Sequence, residues 1–139
     1  MRGGDLGAAR GEDASLWLRQ LFAAIDARDA ARFVSFLAED ATFTLGNQPA
    51  LRGRTAIRAA VQAFFASIKG CRHEVLRSWG RPDSVVCHGR VTYTRADDKQ
   101  LTVPFANVMV MRGELVADYL IFVDLAPLIA GQQPPASSR

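Results

Sequence analysis

The sequence predicts an α+β fold: three helices first, then a meander of long antiparallel strands. Three observations carry this. Apolar residues in the first half recur at three-to-four spacing. After Gly70 they alternate with polar ones. The alternating runs are separated by the turn-forming stretches GRPD, ADDK and MRGE. Helices followed by strands, rather than alternating with them, make a layered α+β domain. A chain of 139 residues holds one such core. The expected organisation is a loose segment over residues 1–13, a folded domain over 14–128 and a loose tail over 129–139. The first segment is rich in Gly and charge, and the tail is polar and contains prolines.

Each element has its own signal. Ser15 can cap a first helix whose inward face carries Leu16, Leu18, Leu21, Phe22 and Ile25. Asp29 can cap a short second helix with Phe33, Phe36 and Leu37. EDATFTL alternates as a strand with Phe43 and Leu45 on one side. A third helix is expected from about Thr55 to Lys69, with Ile57, Val61, Phe64, Phe65 and Ile68 inward and Gly70 as its stop. The strands then follow: RHEVLRSW, DSVVCHGRVTYTR, KQLTVPFANVMVM and ELVADYLIFVDL, joined as hairpins.

Composition excludes several functions. The net charge of +3 comes from scattered arginines with no basic block, so no nucleic-acid partner is expected. Arg52, Arg54 and Arg58 read as a solvated helix start. Cys71 and Cys87 form no CxxC motif, and His73 and His88 are the only histidines, so neither a metal nor another cofactor is expected. No apolar run approaches the roughly 20 residues of a membrane span. The expectation is a cytoplasmic protein with reduced thiols.

Strand pairing follows from the turns. With Arg112 and Gly113 at the centre of the last hairpin, Met111 lies opposite Glu114 and Asn107 opposite Asp118. One sheet face then holds Phe105, Asn107, Met109, Val116, Asp118, Leu120 and Phe122. With an even ADDK loop, His88 joins Asn107 and Asp118 in a row, and Arg90 and Thr92 share their face. An odd loop or a bulge puts Cys87, Val91 and Tyr93 there instead.

The stretches AAIDARDAARFVSFLAEDATF, GRTAIRAAVQAFF and VPFANVMVMRGELVADYLIFVDL resemble the SnoaL-like family of the nuclear transport factor two-like superfamily. The resemblance covers about residues 14–128. The superfamily includes polyketide cyclases, ketosteroid isomerases and limonene-epoxide hydrolases. It implies a cone in which helices pack into the concave face of a curved sheet around a mostly apolar pocket. It also makes the Asn107 face the concave one. The other face is strongly apolar as well, which implies a homodimer through the sheet.

The relatives' chemistries match poorly by position. Where ketosteroid isomerases keep a carboxylate base and a tyrosine donor, this chain has Leu45 and Leu21. Of the residues limonene-epoxide hydrolases use, Arg90 matches, but Thr92, Leu120, Phe43 and Leu45 stand at the others. Asp118 falls at the histidine position of the cyclases, Leu120 replaces their aspartate, and Tyr119 lies nearest their tryptophan. The expected catalytic constellation is therefore Asp118 as base, His88 as second acid or base and Asn107 as oxyanion donor. Arg90, Phe43, Leu45, Phe105, Leu120 and Phe122 are expected to bind the ligand. Two functions stay open: a cofactor-free isomerase, cyclase or hydrolase acting on a small apolar carbonyl-bearing ligand, and a non-catalytic ligand-binding or dimerising domain. On the bland reading Asp118 and Asn107 are a hydrogen-bonded pair without chemistry. His73 reads as a strand-surface residue. Asp124 reads as a strand exit, Trp17 as core, Trp79 as core or a ligand platform at the sheet rim, and Asp26, Asp29 and Asp40 as caps or turn residues.

Overall fold

The computed structural model describes residues 3–130, with the side chains of residues 15–129. The order is α1 (Gly3–Asp26), α2 (Ala30–Val34), β1 (Leu37–Leu45), β2 (Leu51–Arg52), α3 (Arg54–Ala66), β3 (Ile68–Arg81), β4 (Ser84–Arg95), β5 (Gln100–Arg112), β6 (Leu115–Val123) and α4 (Ala126–Ala130). The six strands form one sheet in the order β2-β1-β6-β5-β4-β3. The pairs β3–β4, β4–β5 and β5–β6 are antiparallel, as the hairpin signals require, whereas β1 runs parallel to β6. This is the α+β cone, with the helices on the concave side of the sheet.

Several element ends differ from expectation. Helix α1 begins at Gly3, so Ser15 lies inside it rather than capping it, and Leu16 is exposed. The expected segments 1–13 and 129–139 overlap α1 from residue 3 and α4 up to residue 130; beyond these they lie outside the described residues. Asp29 does cap α2, accepting from the Arg32 backbone N–H at 3.0 Å. Leu37 starts β1 instead of ending α2. Helix α3 closes at Ser67, not at Gly70, which is already paired with Thr94 in the sheet.

Two irregularities decide which side chains face the helices. The loop between β4 and β5 is odd: the Arg95 N–H donates to the Lys99 carbonyl at 2.8 Å, the Asp98 N–H donates to the Arg95 carbonyl at 2.9 Å, and Asp98 takes φ 72°. That is a three-residue loop with a left-handed last residue. It puts Cys87, not His88, opposite Asn107. The β5–β6 turn centres on Gly113 (φ 64°) and Glu114, with Arg112 opposite Leu115. Moving the turn by one residue leaves the faces as expected, because Met111 still shares a face with an even-numbered partner, Val116. The faces change at the next step. An extra residue, Ala117, bulges out, and Val110 then pairs with Asp118 and Asn107 with Ile121. Tyr119 therefore takes the inward place expected of Asp118.

The inner face of the sheet is the core. Val85, Cys87, Val91 and Tyr93 of β4 and Val103, Phe105, Asn107 and Met109 of β5 are all buried, alternating with outward residues. Leu21, Phe33 and Ile57 of the three helices close over them. The strand β3 bulges at Leu76, where the register shifts between Val75 and Arg77, and Gly89 lies opposite Val75. A Cβ at Gly89 would overlap the Glu74 carbonyl. Replacing Gly89 by Ala forces these two strands apart. Unfolding in urea should show a loss of about 1–3 kcal/mol, the usual cost of overpacking; an unchanged midpoint would mean that the bend relaxes freely.

Candidate functional site

A cavity of about 340 Å³ lies between the helices and the inner sheet face. Its wall is aromatic: Phe22 of α1, Phe33 of α2, Phe43 of β1, Phe64 and Phe65 of α3 and Phe105 of β5 all line it. Leu45, Ile121 and Val123 add aliphatic surface. The polar groups that reach it are few: His73, Asn107, Tyr93, Tyr119, Cys71 and Gln48.

The first polar cluster joins α1 to β3. The Asp26 side chain, in the last turn of α1, contacts His73 twice. One oxygen lies 2.7 Å from the His73 Nδ1, and the other accepts from the His73 backbone N–H at 3.0 Å. The imidazole is wedged between Phe22 and Phe105, at centroid distances of 4.7 and 5.1 Å. Gripped at Nδ1 by a carboxylate, the ring has Nε2 as its remaining nitrogen, which is the arrangement of an oriented acid/base histidine. His73 and Asp26 also border a groove between α1 and β3, together with Arg19 and Arg77, so the pair is reached from outside as well as from the cavity.

Cys71 completes this cluster. Its sulfur lies 3.5 Å from the Ile25 carbonyl and 3.8 Å from an Asp26 oxygen. Among the described residues, Asp26, Cys71 and His73 are the group whose ligand atoms stand close enough for a metal, within 4.8 Å of one another. Burial and the neighbouring Asp26 carboxylate push the Cys71 thiol up to about 12, so the sulfur is a protonated thiol at neutral pH.

The second cluster joins β5 to β6. The Asn107 Nδ2 donates to the Tyr119 hydroxyl at 3.2 Å, and both residues are buried. Burial holds the Tyr119 phenol well above its ordinary value, so it keeps its proton. The Asn107 Oδ1 is buried without a hydrogen-bond partner. In an apolar wall that leaves an acceptor unmatched.

Of the expected site residues, Phe43, Leu45, Phe105 and Asn107 line the cavity, whereas Asp118, His88, Arg90, Leu120 and Phe122 do not. The odd β4–β5 loop turns His88 and Arg90 onto the outer face, and the Ala117 bulge does the same for Asp118, Leu120 and Phe122. His88 stacks on Trp79 there, Arg90 is exposed, and Trp79 is half exposed rather than core. Asp118 accepts from the Thr42 hydroxyl at 2.6 Å, holding β6 to β1. The one hydrolase position that matched, Arg90, thus does not reach the cavity. Asp124 ends its strand as expected, accepting from the Ala126 N–H at 3.0 Å.

His73 and Asp26 were read from sequence as a surface residue and a cap, and the structure corrects both. The available signal was the alternation Cys71-Arg72-His73-Glu74: charges at 72 and 74 belong outside, which sends 71 and 73 inward.

A SnoaL-like domain model matches residues 18–119. The chain belongs to the SnoaL-like family. No curated protein sequence matches it. Solved structures share its fold. A nuclear transport factor two-like protein from Burkholderia pseudomallei is 17% identical, with 84% of this chain and 94% of that one covered and a TM-score of 0.74. A protein proposed to be a SnoaL-like polyketide cyclase from a Jannaschia species is 14% identical, with 90% and 96% covered and a TM-score of 0.75. A protein of ketosteroid isomerase-like fold from Catenulispora acidiphila, in complex with trimethylamine, is 18% identical, with 87% and 95% covered and a TM-score of 0.75.

The thiols offer a direct check. Cys87, also pushed up to about 12 by burial, behaves like Cys71. Both thiols ionise near 9.0 when free. Folded-state values above the free ones mean that stability is full below about pH 9 and falls as pH rises from 9 towards 12. Native protein at pH 8 should react with a disulfide reagent at least about 100-fold more slowly than unfolded protein, since the thiolate is the nucleophile. Rapid labelling of the native form would contradict the burial.

Proposed function

We propose that this SnoaL-like protein is a cofactor-free acid/base enzyme of the isomerase, cyclase or hydrolase kind, acting on an apolar, carbonyl-bearing ring compound. The observation that carries the reading is the 2.7 Å contact of Asp26 with His73 Nδ1 at the wall of an aromatic cavity. With Nδ1–H donated to Asp26, the lone pair of Nε2 takes a proton from the substrate, and the carboxylate stabilises the imidazolium that forms. The groove between α1 and β3 gives that proton a way to water without opening the cavity. Asn107 and Tyr119 hold the polar end of the ligand.

An apolar carbon acid such as 5-nitrobenzisoxazole tests the base before the natural substrate is known. Removal of its ring C–H proton breaks the N–O bond and releases a coloured cyanophenolate. His73→Gln should lower turnover by about 10²-fold or more, with Asp26→Asn also impaired. Asp118→Asn, on the outer face, should match the parent protein. Equal turnover by the parent protein and His73→Gln would sink the mechanism.

We further propose that a second copy of the chain covers the outer face. Trp79, Val86, Val108 and Leu120 pair in a row across four strands, with Val110 and Phe122 beside them. Phe122 is 56% exposed and Trp79 52%. Such an apolar row can face its own copy about a twofold axis, as a homodimer requires. Light scattering should give a mass of two chains for the parent protein and one for Phe122→Asp; a monomeric parent protein would refute it. The free thiols Cys71 and Cys87 suit a reducing compartment, and we place the protein in the cytoplasm on that ground.

A further inference from the structure

We propose that Asp26, Cys71 and His73 form a binding site for one thiophilic divalent ion of the zinc(II) class. The site itself does not rest on the function proposed above; only its effect on turnover does.

Cys71 and His73 stand two apart on β3, so they share the face turned to the helices. Asp26, the last residue of α1, meets both. Its Oδ1 is the common point, 2.7 Å from the His73 Nδ1 and 3.8 Å from the Cys71 sulfur. Its Oδ2 accepts separately from the His73 backbone N–H at 3.0 Å, so the carboxylate is anchored by one oxygen and offers the other. The imidazole is likewise fixed between Phe22 and Phe105. Outer contacts of this kind orient metal ligands before the ion arrives.

The spacing suits zinc. Bonds of about 2.0–2.3 Å to oxygen, nitrogen and sulfur put tetrahedral ligand atoms roughly 3.3–3.5 Å apart. Here the ligand atoms of the three residues all lie within 4.8 Å of one another. Side-chain shifts on the order of 1 Å close the difference. A carboxylate and a thiolate balance the charge of the ion, so the occupied site is neutral beside the aromatic wall. Sulfur and imidazole ligands favour zinc over magnesium or calcium, which take oxygen. The outer groove, bordered by Asp26 and His73, supplies the entry and the water for a fourth position. Binding releases the Cys71 thiol proton to water and moves the imidazole proton from Nδ1 to Nε2. His73 then has no lone pair left for a substrate, so zinc acts as an inhibitor and not as a cofactor.

The probes are zinc(II) and cobalt(II), added to the metal-free, thiol-reduced full chain. Competition with a chromophoric chelator should give one zinc per chain with a micromolar or tighter Kd. Cys71→Ser and Asp26→Asn should each weaken it by about 10-fold or more, and Cys87→Ser by less than about threefold. Cobalt(II) should give a sulfur-to-metal charge-transfer band that Cys71→Ser lacks and Cys87→Ser keeps. No binding by the parent protein, or equal binding by the parent protein and Cys71→Ser, overturns the proposal. If a variant does not fold, as circular dichroism will tell, a crystal of the parent protein soaked in zinc decides. An anomalous peak bonded to Cys71 Sγ and His73 Nδ1 supports the site; a peak elsewhere, or none, refutes it. Zinc bound at these residues with unchanged turnover of 5-nitrobenzisoxazole leaves the site standing and overturns His73 as the base.

Discussion

The two-residue period of the sheet is the constraint on which everything else depends. In a strand each extra residue moves every later side chain to the other face. Two steps in this sheet set the faces of Asp118, His88 and Arg90: the three-residue loop Ala96–Asp98 and the bulge at Ala117. Without the first, His88, Arg90 and Thr92 would face the helices in place of Cys87, Val91 and Tyr93. Without the second, a carboxylate would enter the apolar core in place of Tyr119. The bulge puts Asp118 where its charge costs least, half exposed and bonded to Thr42, and puts a phenol where a charge could not stay. The polar content of the cavity is thus set by backbone irregularity as much as by residue choice.

The same constraint explains why the cavity can be both apolar and chemically equipped. Two of its polar groups are tied across elements: His73 of β3 to Asp26 of α1, and Asn107 of β5 to Tyr119 of β6. These links fix the side chains at opposite regions of one aromatic wall, since Phe105 touches His73 and Tyr119 packs on Phe33 and Phe43. Preorganised polar groups in a water-poor space act more strongly than they would in water. The Asn107 Oδ1 is left without a partner.

The fold was legible in the sequence because it is written in periods. The spacing of Leu18, Leu21 and Phe22, the alternation of β4 and β5, and the turn residues between strands gave the helices, the hairpins and their order. Within the site, Phe43, Leu45, Phe105 and Asn107 were legible as well, because Phe43 and Leu45, like Phe105 and Asn107, alternate two residues apart within a regularly paired stretch. Asp118 was misplaced, and the face of His88 and Arg90 was left open. Loop parity and a bulge depend on where one backbone amide finds its acceptor, here Arg95 with Lys99, and no residue type announces that. Asp98 takes a left-handed conformation that Asp tolerates without demanding, and Ala117 carries no signature of a bulge.

The Asp26–His73 pair escaped sequence reading for a different reason: its partners are 47 positions apart and belong to elements with different periods. Asp26 at a helix end is explained well enough as a cap, and His73 between Arg72 and Glu74 as a solvated strand residue. Only the packing of α1 across β3 brings them together. That packing also argues for function over mere architecture. An apolar pair at these positions would hold α1 to the sheet at no desolvation cost, as Phe22 against Phe105 already does at 5.6 Å. Instead the fold places an imidazole, gripped by a carboxylate, where the aromatic cavity and an outer groove share a wall. The base proposed for His73, taking a proton on one side and returning it to water on the other, would have to stand at such a wall.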